Sequence, residues 1–218
     1  MNLLSKPQVL LVLCCLVIAL FWLSPQARAD LIINEIMGDP NQDWDGSGEY
    51  NFRGDEWIEV MNDGETSEDL TSYWLRDTTG DEAHLQLHGT LQSGEVAIFF
   101  GSEAAAWQQL HGFSVTGLSI NNSGDTIELL KTVPDEGGST LVVVHSITIL
   151  DHEAEDDRSS GWDSETGLWS MNDALNPYNG GSEPQGNDCQ PSPGESNICV
   201  PLVPVQRTSW DALKSQYR

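Results

Sequence analysis

Oxygen-bearing side chains recur at alternate positions between residues 39 and 49, in the sequence DPNQDWDGSGE. Alternate side chains of a tight loop converge on one centre, and Gly46 permits the turn that such a loop needs. Oxygen atoms of carboxylates, amides and backbone carbonyls are the ligands that calcium takes in proteins. The spacing therefore predicts a calcium-binding loop with ligands from Asn41, Asp43, Asp45, the carbonyl group of Ser47, and Glu49.

The predicted ligand set is only half complete. The spacing matches the first half of an EF-hand loop, but the position that should carry a bidentate glutamate is Phe52. Asp39, Asp55 or Glu56 would have to complete the coordination shell. The alternative is an acidic surface loop whose aspartates and asparagines only stabilise turns.

The motifs of the common catalytic sites are absent from the sequence. It contains no Gly-x-Ser-x-Gly, no Ser-x-x-Lys, no Walker loop and no dinucleotide-binding fingerprint. His152, beside Glu153, lacks the partner spacing of a zinc motif. The acidic run at residues 151–157 could bind a second cation, although such runs are more often solvated loops. We therefore predict a protein that is not an enzyme, with a metal-dependent hydrolase as the less favoured alternative.

The chain has 34 acidic and 9 basic residues among 218, which gives a formal net charge of −25. Such a charge repels the phosphates of nucleic acids and anionic lipid head groups, which argues against partners of those kinds. It attracts divalent cations and basic partners. A highly charged surface also keeps a protein soluble, so the charge alone does not establish a binding function.

A signal for export is predicted at the N-terminus. Lys6 precedes an uninterrupted apolar run from Val9 to Leu23, and Ala27-Arg28-Ala29 ends the segment. A positive start, an apolar core of about 15 residues and small residues at the last and third-last positions are typical of a cleaved signal peptide. A membrane anchor needs about 20 apolar residues. We predict that residues 1–29 are removed before Asp30, which leaves a secreted, periplasmic or cell-surface protein with no membrane span.

Two of the four cysteines, Cys189 and Cys199, lie outside the signal segment. In an exported chain an isolated pair is expected to form a disulfide. The closed loop is short, so the bond would staple the end of the folded domain, which is predicted to extend from residue 30 to residue 199. The spacing is not that of a redox-active Cys-x-x-Cys motif.

Residues 200–218 follow as a linker and a basic tail. Residues 208–211 have the spacing of a capping box, which predicts a short C-terminal helix. On that helix Trp210, Leu213 and Tyr217 would share one face. The last 12 residues contain three basic side chains and one acidic one, so the tail could dock on the acidic domain or serve as a recognition tag.

The rest of the sequence consists of short runs rich in β-branched and aromatic residues, separated by Gly, Asp, Asn and Ser. About seven short strands with turns between them predict an all-β sandwich of two antiparallel sheets. Glu95–Phe100 and Leu141–Ile149 are the richest in such residues and are predicted to be central strands. A short helix is predicted at Ser102–Leu110, and residues 151–193 are predicted to form a long polar connection over the sandwich. The predicted strands are Leu31–Met37, Glu56–Met61, Tyr73–Arg76, His84–Leu87, Glu95–Phe100, Asp125–Leu130 and Leu141–Ile149.

Several segments together resemble one protein family, the lamin-tail domain, in its bacterial, exported form. They are LIINEIM at 31–37, DEWIEVMN at 55–62, DLTSYWLRD at 69–77, LQSGEVAIFF at 91–100, LSINNSGDTIELL at 118–130 and SPGESN at 192–197. The resemblance implies an immunoglobulin-like β-sandwich that acts as a binding or attachment module. Its partner would be an unidentified protein or surface, and a structural component of an acidic matrix or envelope is the alternative.

Overall fold

The computed structural model describes residues 31–78, 83–163, 166–195, 197 and 199. Within these ranges a 3-10 turn at Leu70–Ser72 precedes the fourth strand. The strands and the helix are β1 (Leu31–Met37), β2 (Trp57–Asn62), β3 (Glu68–Asp69), β4 (Tyr73–Asp77), β5 (Leu85–Gln86), β6 (Thr90–Leu91), β7 (Val96–Phe100), α1 (Gly101–His111), β8 (Gly124–Asp135), β9 (Gly138–Leu150), β10 (Ser159–Asp163) and β11 (Leu168–Asn172).

Two sheets form the body of the fold. One has the strand order β11-β10-β1-β2-β7 and the other the order β5-β4-β8-β9, while β3 and β6 form a small separate pair. Every ladder between these strands is antiparallel. Apolar side chains of both sheets meet in one core, among them Ile33, Ile58, Leu75, Ile127 and Leu129. The prediction of an all-β sandwich is confirmed.

Strong local patterns give the right boundaries in several places. β1 has the predicted bounds, and the helix is one residue longer at each end than predicted. α1 ends at His111 and is capped by Gly112, whose φ of 77° lies in the left-handed region that glycine tolerates. In β2, Ile58 and Val60 belong to the core and Glu59 does not, as the alternation predicts.

A β-bulge changes the facing of side chains in β1. The register with β2 shifts between Ile33 and Glu35, so Asn34 is the extra residue. An extra residue reverses the alternation, because successive side chains of a strand point to opposite faces. Ile33 and Ile36 therefore both reach the core, and Glu35 lies on the outer face of the sheet.

Residues 151–193 do not form the polar connection that the sequence predicts. Within them β10 pairs with β1, and β11 pairs with β10, so a hairpin extends the first sheet. This hairpin is poor in β-branched residues. Its extended conformation is set by pairing with β1, and a strand prediction based on local preference misses it.

The two strands predicted to be central are edge strands. β7 and β9 each end their sheet. On β9 the side chains of Leu141, Val142 and Val143 are 41%, 37% and 48% exposed. A preference for strand conformation shows that a run fits a pleated surface, but it does not fix how many neighbours the strand has.

Cys189 and Cys199 form the predicted disulfide, with Cα atoms 5.3 Å apart. The predicted signal segment and the predicted C-terminal helix lie outside the described residues. Among the described residues, no helix has the length and hydrophobicity needed to cross a bilayer.

Candidate functional site

One buried carboxylate organises the loop between β1 and β2. Asp55 is fully buried and accepts hydrogen bonds from three backbone N–H groups, those of Trp44 (2.8 Å), Asp45 (3.0 Å) and Asn51 (2.7 Å). Hydrogen bonds to an ionised acceptor are stronger than those between neutral groups. Asp55 therefore fixes the path of the loop on which the predicted calcium ligands lie.

Three of the predicted ligands come together in this loop. Carboxylate oxygens of Asp43, Asp45 and Asp55 all lie within 4.8 Å of one another. Burial acts to raise the pKa of Asp45, but hydrogen bonds from Ser102 and Ser47 outweigh it and lower that pKa. Oxygen atoms at these separations can surround one divalent cation.

The residues after the glycine make the turns of the loop. The N–H of Ser47 donates to Oδ1 of Asp45 at 2.8 Å, and its hydroxyl donates to the carbonyl of Glu49 at 3.0 Å. The N–H of Gly48 donates to Oδ2 of Asp43 at 2.8 Å. Such bonds between side chain and nearby backbone stabilise turns without any ion. They also hold the two aspartate side chains in place.

The structure places the first two predicted ligands elsewhere. The backbone N–H of Asn41 donates to Oδ1 of Asp157 at 2.9 Å, and its side-chain amide donates to Oδ2 of Asp156 at 3.4 Å. The carbonyl of Asp39 accepts from the N–H of Asp157 at 2.8 Å. Burial and then the charge of Asp156 raise the pKa of Asp39. Both residues therefore contact the acidic run at 151–157, and Asp39 is not part of the cluster of three aspartates.

The acidic run is itself an ordered part of the fold. Glu153 is buried and accepts from the N–H of Leu150 at 2.8 Å and from the hydroxyl of Ser160 at 2.7 Å. The indole N–H of Trp44 donates to Oδ1 of Asp157 at 2.8 Å. The run thus ties the loop that follows β1 to the connection between β9 and β10.

Two further carboxylates, which the sequence analysis does not single out, lie side by side on the outer face of the five-stranded sheet. Glu35 and Glu59 are opposite each other in the ladder of β1 and β2, and both are fully buried. Residues 192–195 lie against them: the hydroxyl of Ser192 donates to Glu35 at 2.7 Å and the N–H of Gly194 to Glu59 at 2.6 Å. Burial raises the pKa of both, that of Glu59 to about 7.

Donors from three elements converge on Glu35. The hydroxyl of Ser159 in β10 and the side-chain amide of Asn172 in β11 donate to Oε1, the amide at 2.9 Å. The N–H of Ser192 adds contacts of 3.2 and 3.3 Å to the two oxygens. Asn197 then bonds the carbonyl of Asn34 at 2.8 Å. The buried glutamate therefore joins the hairpin and the C-terminal segment to β1.

Comparison with models of protein families identifies the family of this chain. The family model described as Lamin Tail Domain matches residues 24–151, which is more than half of the chain. The match ends before β10 and β11, although the structure places both strands in the same sheet as β1. No curated protein matches the chain.

Proposed function

Because the chain belongs to the lamin tail domain family, whose immunoglobulin-like domain generally mediates protein interactions, we propose that it is an exported binding module that attaches to a protein or surface partner and catalyses no reaction. Export is proposed from residues 1–29 of the sequence, and the disulfide is compatible with an oxidising compartment. The partner is proposed to be a protein that adds an extended segment to the second sheet.

The open edge along the first half of β9, residues 138–143, is the observation that carries this proposal, since at His145 the strand already contacts β1. β9 is the last strand of its sheet, and residues 138–150 contain no Asp, Glu, Lys or Arg. Natural edge strands are usually protected by charges or prolines, because their free N–H and C=O groups can pair with another chain. Here three adjacent apolar side chains, Leu141, Val142 and Val143, are exposed on that edge. An added strand would bury them and satisfy the free backbone groups.

A lysine in the middle of this edge should abolish partner binding. The purified protein and its Val142→Lys variant would be immobilised and incubated with surface-protein extracts, and bound proteins would be quantified by mass spectrometry. The lysine places a charge where the added strand packs, so we expect recovery of the partner to fall by about tenfold or more. Thr66→Lys, in an exposed loop, is the matched control and should bind normally. Equal recovery with all three proteins would contradict the proposal.

Calcium is proposed to stabilise the loop between β1 and β2. The support is the convergence of Asp43, Asp45 and Asp55 and the net charge of −25, which concentrates divalent cations near the protein. Bound calcium would replace the mutual repulsion of the three carboxylates with attraction to one ion. Asp43 would supply the ligand on the exposed side of the loop, and Asp55 would supply the ligand at its buried base.

The expected result is a calcium-dependent melting temperature. At a calcium concentration of about 100 times Kd the gain is about 2.7 kcal/mol, which for a domain of this size raises Tm by about 5–10 °C relative to the chelated protein. The double variant Asp43→Asn/Asp45→Asn should lose this shift. The control Asp135→Asn/Glu136→Gln removes two charges from an exposed hairpin and should keep it. Identical melting curves with calcium and with chelator would refute the calcium proposal and leave the proposed partner binding untouched.

A further inference from the structure

A cleft of about 620 Å³ lies between the loop that precedes β2 and one side of α1. The loop contributes residues from 45 to 54, and the segment 115–117 closes the far side. The volume falls within the range of ligand-binding clefts. Its helical wall consists of four residues spaced as one face of a helix: Ser102, Ala105, Ala106 and Gln109.

The cleft combines small helical side chains with exposed apolar ones. Alanines at two of the four helical positions leave the α1 backbone open to close approach. Tyr50 and Val115, which also line the cleft, are 51% and 58% exposed. Phe113, just before the closing segment, is 42% exposed. Apolar groups collected in this way around a concave surface are typical of a docking site.

The charges of the cleft have a definite pattern. Asp45 and Glu49 are its acidic lining residues and Arg53 is its basic one. Asp43, within 4.8 Å of Asp45, adds a further negative charge nearby in the calcium-free protein, the state in which the cleavage test below is run. A complementary occupant would therefore carry several basic groups, one acidic group and an apolar face.

We propose that this cleft receives residues 207–218 of the same chain. This segment, RTSWDALKSQYR, carries three bases and one acid. Its apolar residues Trp210, Leu213 and Tyr217 have the spacing of one helical face, which suits docking of a short helix against the small side chains of α1. In the docked segment Asp211 would lie against Arg53, and the basic residues would lie against Asp45 and Glu49.

The segment can reach the cleft from its last fixed point. The disulfide holds Cys199 to Cys189, whose carbonyl accepts from the N–H of Ala174 at 2.9 Å just after β11, so the chain leaves from the β11 edge of the sheet. α1 follows β7, which is four strands from β11 in the sheet. Four strand spacings amount to about 19 Å. The eight residues from 200 to 207 span up to about 26 Å when extended.

Cleavage by the lysine-specific protease Lys-C tests the docking. The chain has three lysines, at 6, 131 and 214. Lys131 lies in β8 and its Nζ donates to Glu68 at 2.7 Å, so the protease reaches it only when the sheet opens. The cleavages give fragments of different mass, so cleavage after Lys214 can be followed separately by mass spectrometry. A docked segment is cleaved only when it opens. Ala106→Arg, at an exposed position of the cleft wall, should therefore raise the cleavage rate after Lys214 about tenfold in the full chain.

Two comparisons make the result decisive. Ser139→Arg, at an exposed position of the distant β8–β9 hairpin, should leave the rate unchanged, and Leu213→Ala in the segment itself should raise it as Ala106→Arg does. Circular dichroism would establish that each variant is folded. Equal cleavage rates in the unmodified chain, Ala106→Arg and Leu213→Ala would overturn the proposal, since a segment outside the cleft is insensitive to its walls.

Discussion

Replacing Glu35 with alanine is expected to lower the free energy of unfolding by about 3–5 kcal/mol. The carboxylate of Glu35 accepts hydrogen bonds from Ser159, Asn172 and Ser192, which belong to three different elements. Without it these donors stay buried with no comparable acceptor, and a cavity forms between the sheet and residues 192–195. Urea unfolding followed by tryptophan fluorescence measures the loss.

Two companion variants identify the cause of that loss. Glu35→Gln keeps the volume and one acceptor oxygen, so we expect about half the effect. Glu65→Ala removes an exposed glutamate and should change stability by no more than about 0.5 kcal/mol. Hydrogen exchange at Ser192 and Gly194 should accelerate in Glu35→Ala before the sheet opens. A loss below about 1 kcal/mol for Glu35→Ala would show that the glutamate does not hold the C-terminal segment in place.

The position of Glu35 shows why the sequence does not reveal such a contact. Simple alternation puts Leu31, Ile33 and Glu35 on one face, and only the bulge at Asn34 moves the glutamate to the other face. The donors lie more than 120 residues away along the chain. A local pattern contains information on neither the bulge nor the partner.

The candidate calcium site was partly accessible to sequence analysis. Asp43 and Asp45 are close in the chain, and a tight loop brings them together with Asp55 through local hydrogen bonds. Asn41 has the same spacing, yet its partners are Asp156 and Asp157, about 115 residues later. Alternation therefore identifies candidates, and only the packing of the two loops decides which of them converge.

The same distinction holds for the strands. β1 and β2 carry their own alternating patterns, so their existence follows from the sequence. β10 carries no such pattern, since Ser159, Ser160 and Gly161 are buried without being apolar. Its place beside β1 depends on Glu35, whose acceptor oxygens make a buried serine favourable there. Polar contacts across the sheet thus supply what hydrophobic periodicity cannot.

The second large effect is expected in the pH dependence of stability. Burial raises the pKa of Glu56 to about 8 and that of Glu59 to about 7. As pH rises above the ordinary value of 4.5, the unfolded chain releases these protons while the folded chain keeps them. Stability is therefore highest below this window and is lost as pH rises through 7 and 8. At about 1.4 kcal/mol per pH unit and group, the loss is about 5 kcal/mol for Glu56 and about 3 kcal/mol for Glu59.

Two other titrating groups, His145 and Glu68, limit the gain of stability at acidic pH. Burial lowers the pKa of His145, whose Nδ1 accepts from the N–H of Ile33 at 3.2 Å. As pH falls below about 6.5, the unfolded chain binds a proton at His145 before the folded chain does, which lowers stability. This loss offsets the gain in stability from one of the two buried glutamates. Burial acts to raise the pKa of Glu68, but hydrogen bonds from Lys131 and Tyr73 outweigh it and lower that pKa, so its contribution disappears as pH falls below 4.5. We therefore expect maximum stability at about pH 5.

Substitution by glutamine separates buried protons from general charge repulsion, which also grows with pH in a chain of net charge −25. The double variant Glu56→Gln/Glu59→Gln resembles the protonated protein, so it should match the unmodified protein at pH 5 and exceed its stability by several kcal/mol at pH 8.5. Glu65→Gln/Glu136→Gln removes the same number of charges at exposed positions and should leave the slope nearly unchanged. Urea midpoints at half-unit intervals from pH 5 to 8.5 measure both slopes. If the two double variants flatten the profile equally, the pH dependence arises from net charge and the two buried glutamates are ionised at little cost.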